Sequence, residues 1–189
     1  MATLILASAS ERRVQLLRRL GIPFAVEPAA ADETPRAGER PYALVRRLAA
    51  VKAVTVARRH PEALVLAADT VVALGDDILG KPEDVEAARA MLRRLSGRRH
   101  QVYTGVAVYQ EVRGRGFVRV EVAEVGFRPL ADEEIADYVA TGEPLDKAGA
   151  YAIQGGAGRF VEAFAGNLEA VIGLPLDAVR ALLRHWPDG

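Results

Sequence analysis

Apolar residues divide the chain into short runs and helical stripes that alternate. Thr3 to Ala7 (TLILA) is the kind of continuous apolar run that fills a buried strand. Ser8-Ala9-Ser10 ends it, and Ser10 is placed to cap a helix over Glu11 to Leu20 with Val14, Leu16, Leu17 and Leu20 along one side. Gly21 and Pro23 stop that helix, and Phe24 to Glu27 reads as extended. Ala30 to Arg40 is polar and interrupted by Pro35 and Gly38, which makes it a loop. Pro41 suits the first turn of a long helix, with Leu44, Val45, Leu48, Val51 and Val56 on its apolar side and Pro61 past its end.

A second buried strand follows at Ala63 to Ala68 (ALVLAA), and Val71 to Leu74 continues or returns it beyond Asp69-Thr70. Glu83 to Leu95 is helical, with Val85, Ala88, Leu92 and Leu95 in register and Gly97 after it. Gln101 to Gln110 and Phe117 to Phe127 are strand-like runs parted by Arg113-Gly114-Arg115-Gly116, a hairpin signal. Asp132 to Thr141 is helical, Gly142 to Gly158 is a glycine-rich loop around Tyr151-Ala152-Ile153, and Pro175 opens a last helix from Leu176 to Trp186. Alternating strands and helices predict an α/β fold: a mixed, mainly parallel-type sheet with an antiparallel hairpin, flanked by helices. No repeat, linker or low-complexity segment interrupts it, so residues 1–189 are expected to form a single domain.

Composition narrows the chemistry. Half of the residues are hydrophobic and 26% are charged, as in a globular protein with a full core. Twenty-five basic residues balance twenty-five acidic ones, whereas a protein that grips nucleic acid normally carries a basic surplus. Any anion site is therefore local, and no nucleic-acid partner is expected. The chain has no cysteine, which excludes disulfides, zinc–thiolate sites and cysteine nucleophiles. Arginines follow the apolar start where a secretory signal would precede it, and no run reaches the roughly 20 apolar residues of a membrane span. A cytoplasmic protein with no membrane partner is the expectation. Only Lys52, Lys81 and Lys147 represent lysine among the basic residues, so each is a position where a compact point charge could matter.

Two junctions concentrate candidate chemistry. After the first strand, Ser8 and Ser10 offer hydroxyls at a helix start, where unpaired N–H groups and the dipole favour an anion. Arg12 and Arg13 in that first turn disfavour the helix unless an anion offsets them, which points to a phosphate; a plain serine cap with solvated arginines is the other reading. Asp69, directly after ALVLAA, stands where open α/β sheets place ligands and could bind magnesium or take a proton from water; a carboxylate satisfied by turn N–H groups is its alternative. Lys52 interrupts an apolar helix side, Lys81 sits in the stiff Gly80-Lys81-Pro82, and Glu33 lies in the polar loop; each is otherwise an ordinary solvated charge. The Gln154 amide could read the edge of a base, or face water. His60, His100 and His185 have no metal-ligand spacing and read as structural. Together these point to phosphoryl or pyrophosphate chemistry on a nucleotide.

The stretches LASASERRVQLL, Asp32-Glu33, RLAAVKA, AADTVV, LGKP, LSGRRHQVYTGVAV, EPLDKAGAYAIQG and VIGLPL, in this order from residue 4 to about residue 183, resemble the Maf family. The resemblance implies a Maf/Ham1-like fold and a nucleoside triphosphate pyrophosphatase that cuts between the α and β phosphates, with a divalent cation (Mg2+ or Mn2+) as cofactor and a homodimer as its form. It implies Asp69 as proton acceptor, Glu33 and Asp69 as metal ligands, and Ser8, Ser10, Arg12, Arg13, Lys52 and Lys81 around the phosphates. Arg12, Thr70 and Gln154 match the branch acting on dTTP and UTP, where a sister branch associated with 7-methyl-GTP has Trp, Gln and Glu. Another base, or a nucleotide-binding regulator of septum formation, are the competing readings. Glu11 departs from the family's usual proline, and Gly166 to Ala170 departs from its usual small-polar and aromatic version. Lys147 receives no role.

Overall fold

A computed structural model describes residues 3–186; Met1, Ala2 and residues 187–189 lie outside it. Seven strands form a mixed sheet: β1 (Leu4–Leu6), β2 (Phe24–Val26), β3 (Leu64–Leu74), β4 (Asp77–Leu79), β5 (Arg99–Gln110), β6 (Arg115–Phe127) and β7 (Val161–Ala165). The order is β2-β1-β3-β5-β6-β7, with β4 paired to β3. β1 runs parallel to β2 and β3, whereas β3–β4 and β6–β7 are antiparallel. The helices are α1 (Glu11–Arg18), α2 (Pro41–Ala57), α3 (Val85–Leu95), α4 (Asp132–Ala140), α5 (Leu168–Ile172) and α6 (Leu176–Leu183). The expected α/β class and mixed sheet are therefore found. No helix among the described residues is long and apolar enough to cross a membrane.

The chain divides into two compact units, the first Met1–Asp69, Thr104–Glu121 and Gly173–Gly189, the second Thr70–Tyr103 and Val122–Ile172. In the first unit, α2 lies on one face of β1 and β3. Ala49, Ala53, Val56 and Ala57 of the helix pack with Ile5 of β1, Ala7 just after it, and Val65 and Ala67 of β3. Small residues on both sides permit a close approach, and Gly105 of β5 shows how close: a Cβ there would fall 2.3 Å from the Val45 carbonyl oxygen. The helical stripe differs by one position from the expected one. Buried positions run Leu44, Val45, Leu48, Ala49, Lys52, Ala53, Val56, Ala57 at three- and four-residue steps, so Val51 is exposed, while Lys52 is inside, on the apolar side where the sequence put it.

Of continuation and return, the two readings of Val71 to Leu74, continuation is found, and only the strand end placed before Asp69 needs correction. Asp69 does not end a strand: β3 continues through Asp69-Thr70 to Leu74, because the β-branched Val71 and Val72 prolong the apolar run. What ends is its neighbour. Along β3, β1 pairs only with Leu64 to Leu66 and its chain turns away at Ser8, so Asp69 lies beyond the carboxyl end of β1. Asp69 follows Val65 and Ala67 at two-residue steps and therefore shares their face, the one that α2 covers. The three-residue β4 was not foreseen. Helix α3 starts two residues later than Glu83, because Asp84 caps it by accepting the Ala87 N–H at 2.7 Å.

The second unit has its own core, in which Leu92 and Leu95 of α3, Ile135 and Tyr138 of α4, Phe127, Tyr151 and Phe160 meet. His100 is fully buried there, edge-on to Phe127 and Tyr151 at 5.0 and 5.4 Å, with Nε2 at 2.9 Å from the Tyr151 hydroxyl. Burial holds its pKa down to about 4 from 6.5, against the opposing Arg98 backbone and the charge of Glu124. As pH falls below 6.5 the unfolded chain gains a proton that the folded chain refuses until about pH 4. Stability is therefore expected to fall through that window by about 1.4 kcal/mol per pH unit. Urea unfolding of wild type and His100→Gln across these pH values checks it: the variant should lack this component of the slope.

Candidate active site

The first cluster forms where β1 ends. Ser8 is buried, and its Oγ accepts the Ser10 N–H at 3.1 Å and an Arg13 Nη1–H at 3.4 Å. Arg13 also donates from Nε to the Gly173 carbonyl at 2.9 Å, which fixes the guanidinium across the base of α1. Burial lowers the Arg13 pKa from its ordinary value, Asp69 opposes this, and arginine keeps its charge regardless. Ser10 occupies the N-cap position but makes no side-chain capping hydrogen bond, contrary to the cap expected of it. Its extended backbone starts the helix without engaging the hydroxyl in it. Arg12 is half-buried in the same turn. The unusual Glu11 is exposed and lies 3.8 Å from Arg18, so its charge is turned along the helix surface.

The second cluster is an ammonium between two carboxylates. Lys52 Nζ lies 2.7 Å from Asp69 Oδ1 and 3.0 Å from Glu33 Oε1. Lys52 and Asp69 are 8% and 5% exposed, whereas over half of the Glu33 side chain is accessible. Burial pushes the Asp69 carboxyl above its ordinary value; Lys52 and then Arg13 pull against that, and Glu33 adds to it. Asp69 is thus a desolvated carboxyl group of raised basicity beside a cation, an arrangement suited to accepting a proton. Among the described residues, no group of three or more His, Asp or Glu is placed to hold a metal. The Glu33 and Asp69 oxygens nevertheless suit a cation that takes one or two carboxylates and completes its shell with phosphate and water.

The segment that follows Glu33 is held by residues that the sequence did not single out. Arg47 of α2 donates from Nε and Nη2 to the two Glu39 oxygens, each at 2.7 Å, and from Nη2 to the Thr34 carbonyl at 3.1 Å. Glu39 also accepts the Arg36 N–H at 3.0 Å, and Arg47 holds its carboxyl down to about 2. The polar loop next to Glu33 is therefore braced.

In the second unit, Thr70 is half-buried on β3 and Lys81 is exposed after β4. The turn carrying Lys81 is anchored by its Gly80 carbonyl, which accepts the Gly149 N–H at 3.0 Å. Gln154 is exposed on a turn closed by the Gly155 N–H donating to the Ala152 carbonyl at 3.0 Å. Lys147 is half-buried and donates to Asp146 and to the Glu143 carbonyl, the latter at 3.4 Å, so it clips its own loop. Direct contacts thus link Ser8 with Arg13 and Lys52 with Glu33 and Asp69, while Thr70, Lys81 and Gln154 are each set within the other unit. Of the other histidines, His60 pairs with Glu27 at 2.5 Å and His185 stacks on Phe117 at 4.5 Å.

Comparison with known proteins gives the site a context. The family described as Maf-like protein matches residues 3–186. A Myxococcus xanthus protein named dTTP/UTP pyrophosphatase is 56% identical over 182 residues, covering 96% of this chain and 91% of that relative. Relatives with the same name from Zymomonas mobilis and Moorella thermoacetica are 52% and 50% identical, covering 98% and 97% of this chain and 93% and 94% of their own. Among solved structures, the Staphylococcus aureus Ham1 protein matches with a TM-score of 0.50 and 16% identity over 69% of this chain and 72% of that one, a likeness of fold.

Proposed function

Because the chain belongs to the Maf-like protein family, we propose that it hydrolyses dTTP and UTP to the nucleoside monophosphate and pyrophosphate. The observation that carries this reading is the buried Asp69 carboxylate, bridged by Lys52 to Glu33, in the unit that also holds Arg13 and Ser8. Relatives at about half identity, named for this activity, support it.

Ser8 and Ser10, with the first N–H groups of α1, meet phosphate oxygens, and Arg12 and Arg13 neutralise their charge. Lys52 favours the charged form of Asp69 and adds positive charge beside the phosphate chain, and Lys81 contributes a further ammonium. Asp69 accepts a proton from the attacking water, whose oxygen forms a bond to the α-phosphorus while the bond from that phosphorus to the α–β bridging oxygen breaks. Pyrophosphate leaves with that oxygen. Glu33 and Asp69 would hold a divalent cation, magnesium or manganese, which when bound stabilises charge on the departing pyrophosphate. Arg12, Thr70 and Gln154 set the base preference. An amide suits uracil and thymine, because its oxygen can accept the N3–H while its NH2 donates to an adjacent carbonyl.

Pyrophosphate release with magnesium from dTTP, UTP, 7-methyl-GTP and ITP tests this. The two pyrimidine nucleotides are expected to exceed the purines by about 10,000-fold in kcat/KM, the discrimination of a site built to hydrogen-bond its substrate. Turnover of a purine with neither pyrimidine hydrolysed would overturn the substrate assignment.

A further inference from the structure

Residues 27–40, between β2 and α2, carry no strand or helix, yet the stretch around Glu33 is tied to α2 at two points. One is Lys52, whose Nζ lies 3.0 Å from Glu33 Oε1. The other is Arg47, which meets both Glu39 oxygens at 2.7 Å and the Thr34 carbonyl at 3.1 Å. The two ties differ in strength. The Glu33 side chain is 56% accessible, so its ion pair with Lys52 is screened and weak. Arg47 and Glu39 are only 18% and 9% accessible and meet fork to fork, the stronger kind of contact.

The stronger tie reaches Glu33 through a single peptide. Asp32 Oδ1 accepts the Thr34 N–H at 2.9 Å, which closes an Asx turn with Glu33 as its middle residue. Thr34 is thus held at its N–H by Asp32 and at its carbonyl by Arg47. Further on, the Glu39 N–H donates to the Arg36 carbonyl and Glu39 Oε2 accepts the Arg36 N–H, each at 3.0 Å, with Gly38 at φ 71° completing the turn. That turn returns the Glu39 carboxylate to Arg47 next to Thr34. Moving the Glu33 backbone therefore means opening the Asx turn or pulling Thr34 off Arg47. We propose that Arg47 is a positioning residue for Glu33: with Glu39 it fixes the loop at Thr34 and so sets the Glu33 carboxylate beside Lys52 and Asp69, where the two carboxylates can share a divalent cation. The inference rests on the reading of Glu33 as a ligand of that cation.

The test measures binding of the α,β-methylene analogue of UTP, which resists cleavage at that bond, in magnesium and in EDTA. Removing the brace as Glu39→Gln with Arg47→Met leaves no unpaired buried charge, so the fold is spared the penalty of a half-broken pair. The glutamine also keeps an oxygen for the Arg36 N–H. In this double variant the factor by which magnesium strengthens binding is expected to fall about 10-fold, the low end for a residue that orients a metal ligand. Affinity in EDTA should stay within about twofold, because the groups that meet the phosphates are untouched. KM for UTP should rise, with kcat at saturating nucleotide within about threefold. In a Glu33→Gln background, the same two substitutions should change the magnesium factor no further. Arg47→Lys keeps the charge without the fork, and should shift the factor in the same direction if the double variant does not fold. An unchanged magnesium factor in the folded variants, equal weakening with and without magnesium, or a further fall in the Glu33→Gln background overturns the proposal. If wild type shows no magnesium factor, or Glu33→Gln alone leaves it unchanged, the cation role of Glu33 fails and this inference with it. If Glu33→Gln lowers the factor and loss of the brace does not, only this inference fails.

Discussion

Asp69→Asn is expected to lower the rate of pyrophosphate release from UTP by about 1,000-fold or more while nucleotide binding persists, as expected for loss of a proton acceptor. Asparagine keeps the shape of the side chain and an oxygen for Lys52, which also retains Glu33 at 3.0 Å. What disappears is a negative charge and the ability to take a proton. Burial raises the basicity of this particular carboxylate, so the loss falls on the group best suited to activating water. Single-turnover pyrophosphate release alongside equilibrium UTP binding separates chemistry from affinity. Release within about tenfold of wild type would remove Asp69 from the reaction. The same variant tests the competing role in septum formation: a nucleotide-sensing regulator keeps its biological effect without turnover, and an enzyme does not.

Lys52→Met is expected to impair both activity and stability. Methionine fills the space of the stem in the apolar stripe of α2 but leaves Asp69, 5% exposed, without the ammonium at 2.7 Å. Breaking a buried ion pair by removing one partner costs about 3–5 kcal/mol, of which Asp69 can recover part by taking up a proton. Glu33 contributes little to the loss because most of its side chain is hydrated. The pH dependence gives the check. With the pull of Lys52 gone, burial raises the folded-state pKa of Asp69 further above its unfolded value. The folded chain then binds the extra proton, so the variant loses stability as pH rises through that raised pKa and regains it on acidification. Chemical denaturation of both proteins should therefore show a gap widest near neutral pH and narrowing in acid. Lys52→Arg should rescue poorly, because a planar fork does not fit between two carboxylates arranged around a point charge.

Much of the fold was legible because it rests on local pattern. The run at Leu4 to Leu6, the stop at Gly21 and Pro23, and the glycine-bearing hairpin each impose their geometry on the nearest residues. The residue types of the candidate site were noticed for the same reason: hydroxyls and arginines opening a helix after a strand fit an anion or a plain serine cap before any packing is known. What stayed hidden depends on distant partners. The phase of α2 was read through Val51, which the fit of Ala49 and Ala53 on β3 leaves exposed, although the sequence already put Lys52 on the apolar side. The place of Asp69 within β3 depends on where β1 stops, which the sequence of β3 does not contain. The grip of Arg47 on Glu39 spans eight residues across a helix start, and that of Glu143 on Gly156 spans thirteen, so neither follows a short motif.

Arg47 holds Glu39 with two nitrogens and the Thr34 carbonyl with one of them, leaving the segment that follows Glu33 short of freedom before any solute arrives. Settling one backbone residue costs about 1–2 kcal/mol of entropy, and here that toll is taken once, during folding. A dilute solute meeting Glu33 does not have to organise the neighbouring residues itself. Capture is then governed by diffusion and charge rather than by the wait for a wandering segment to come to rest.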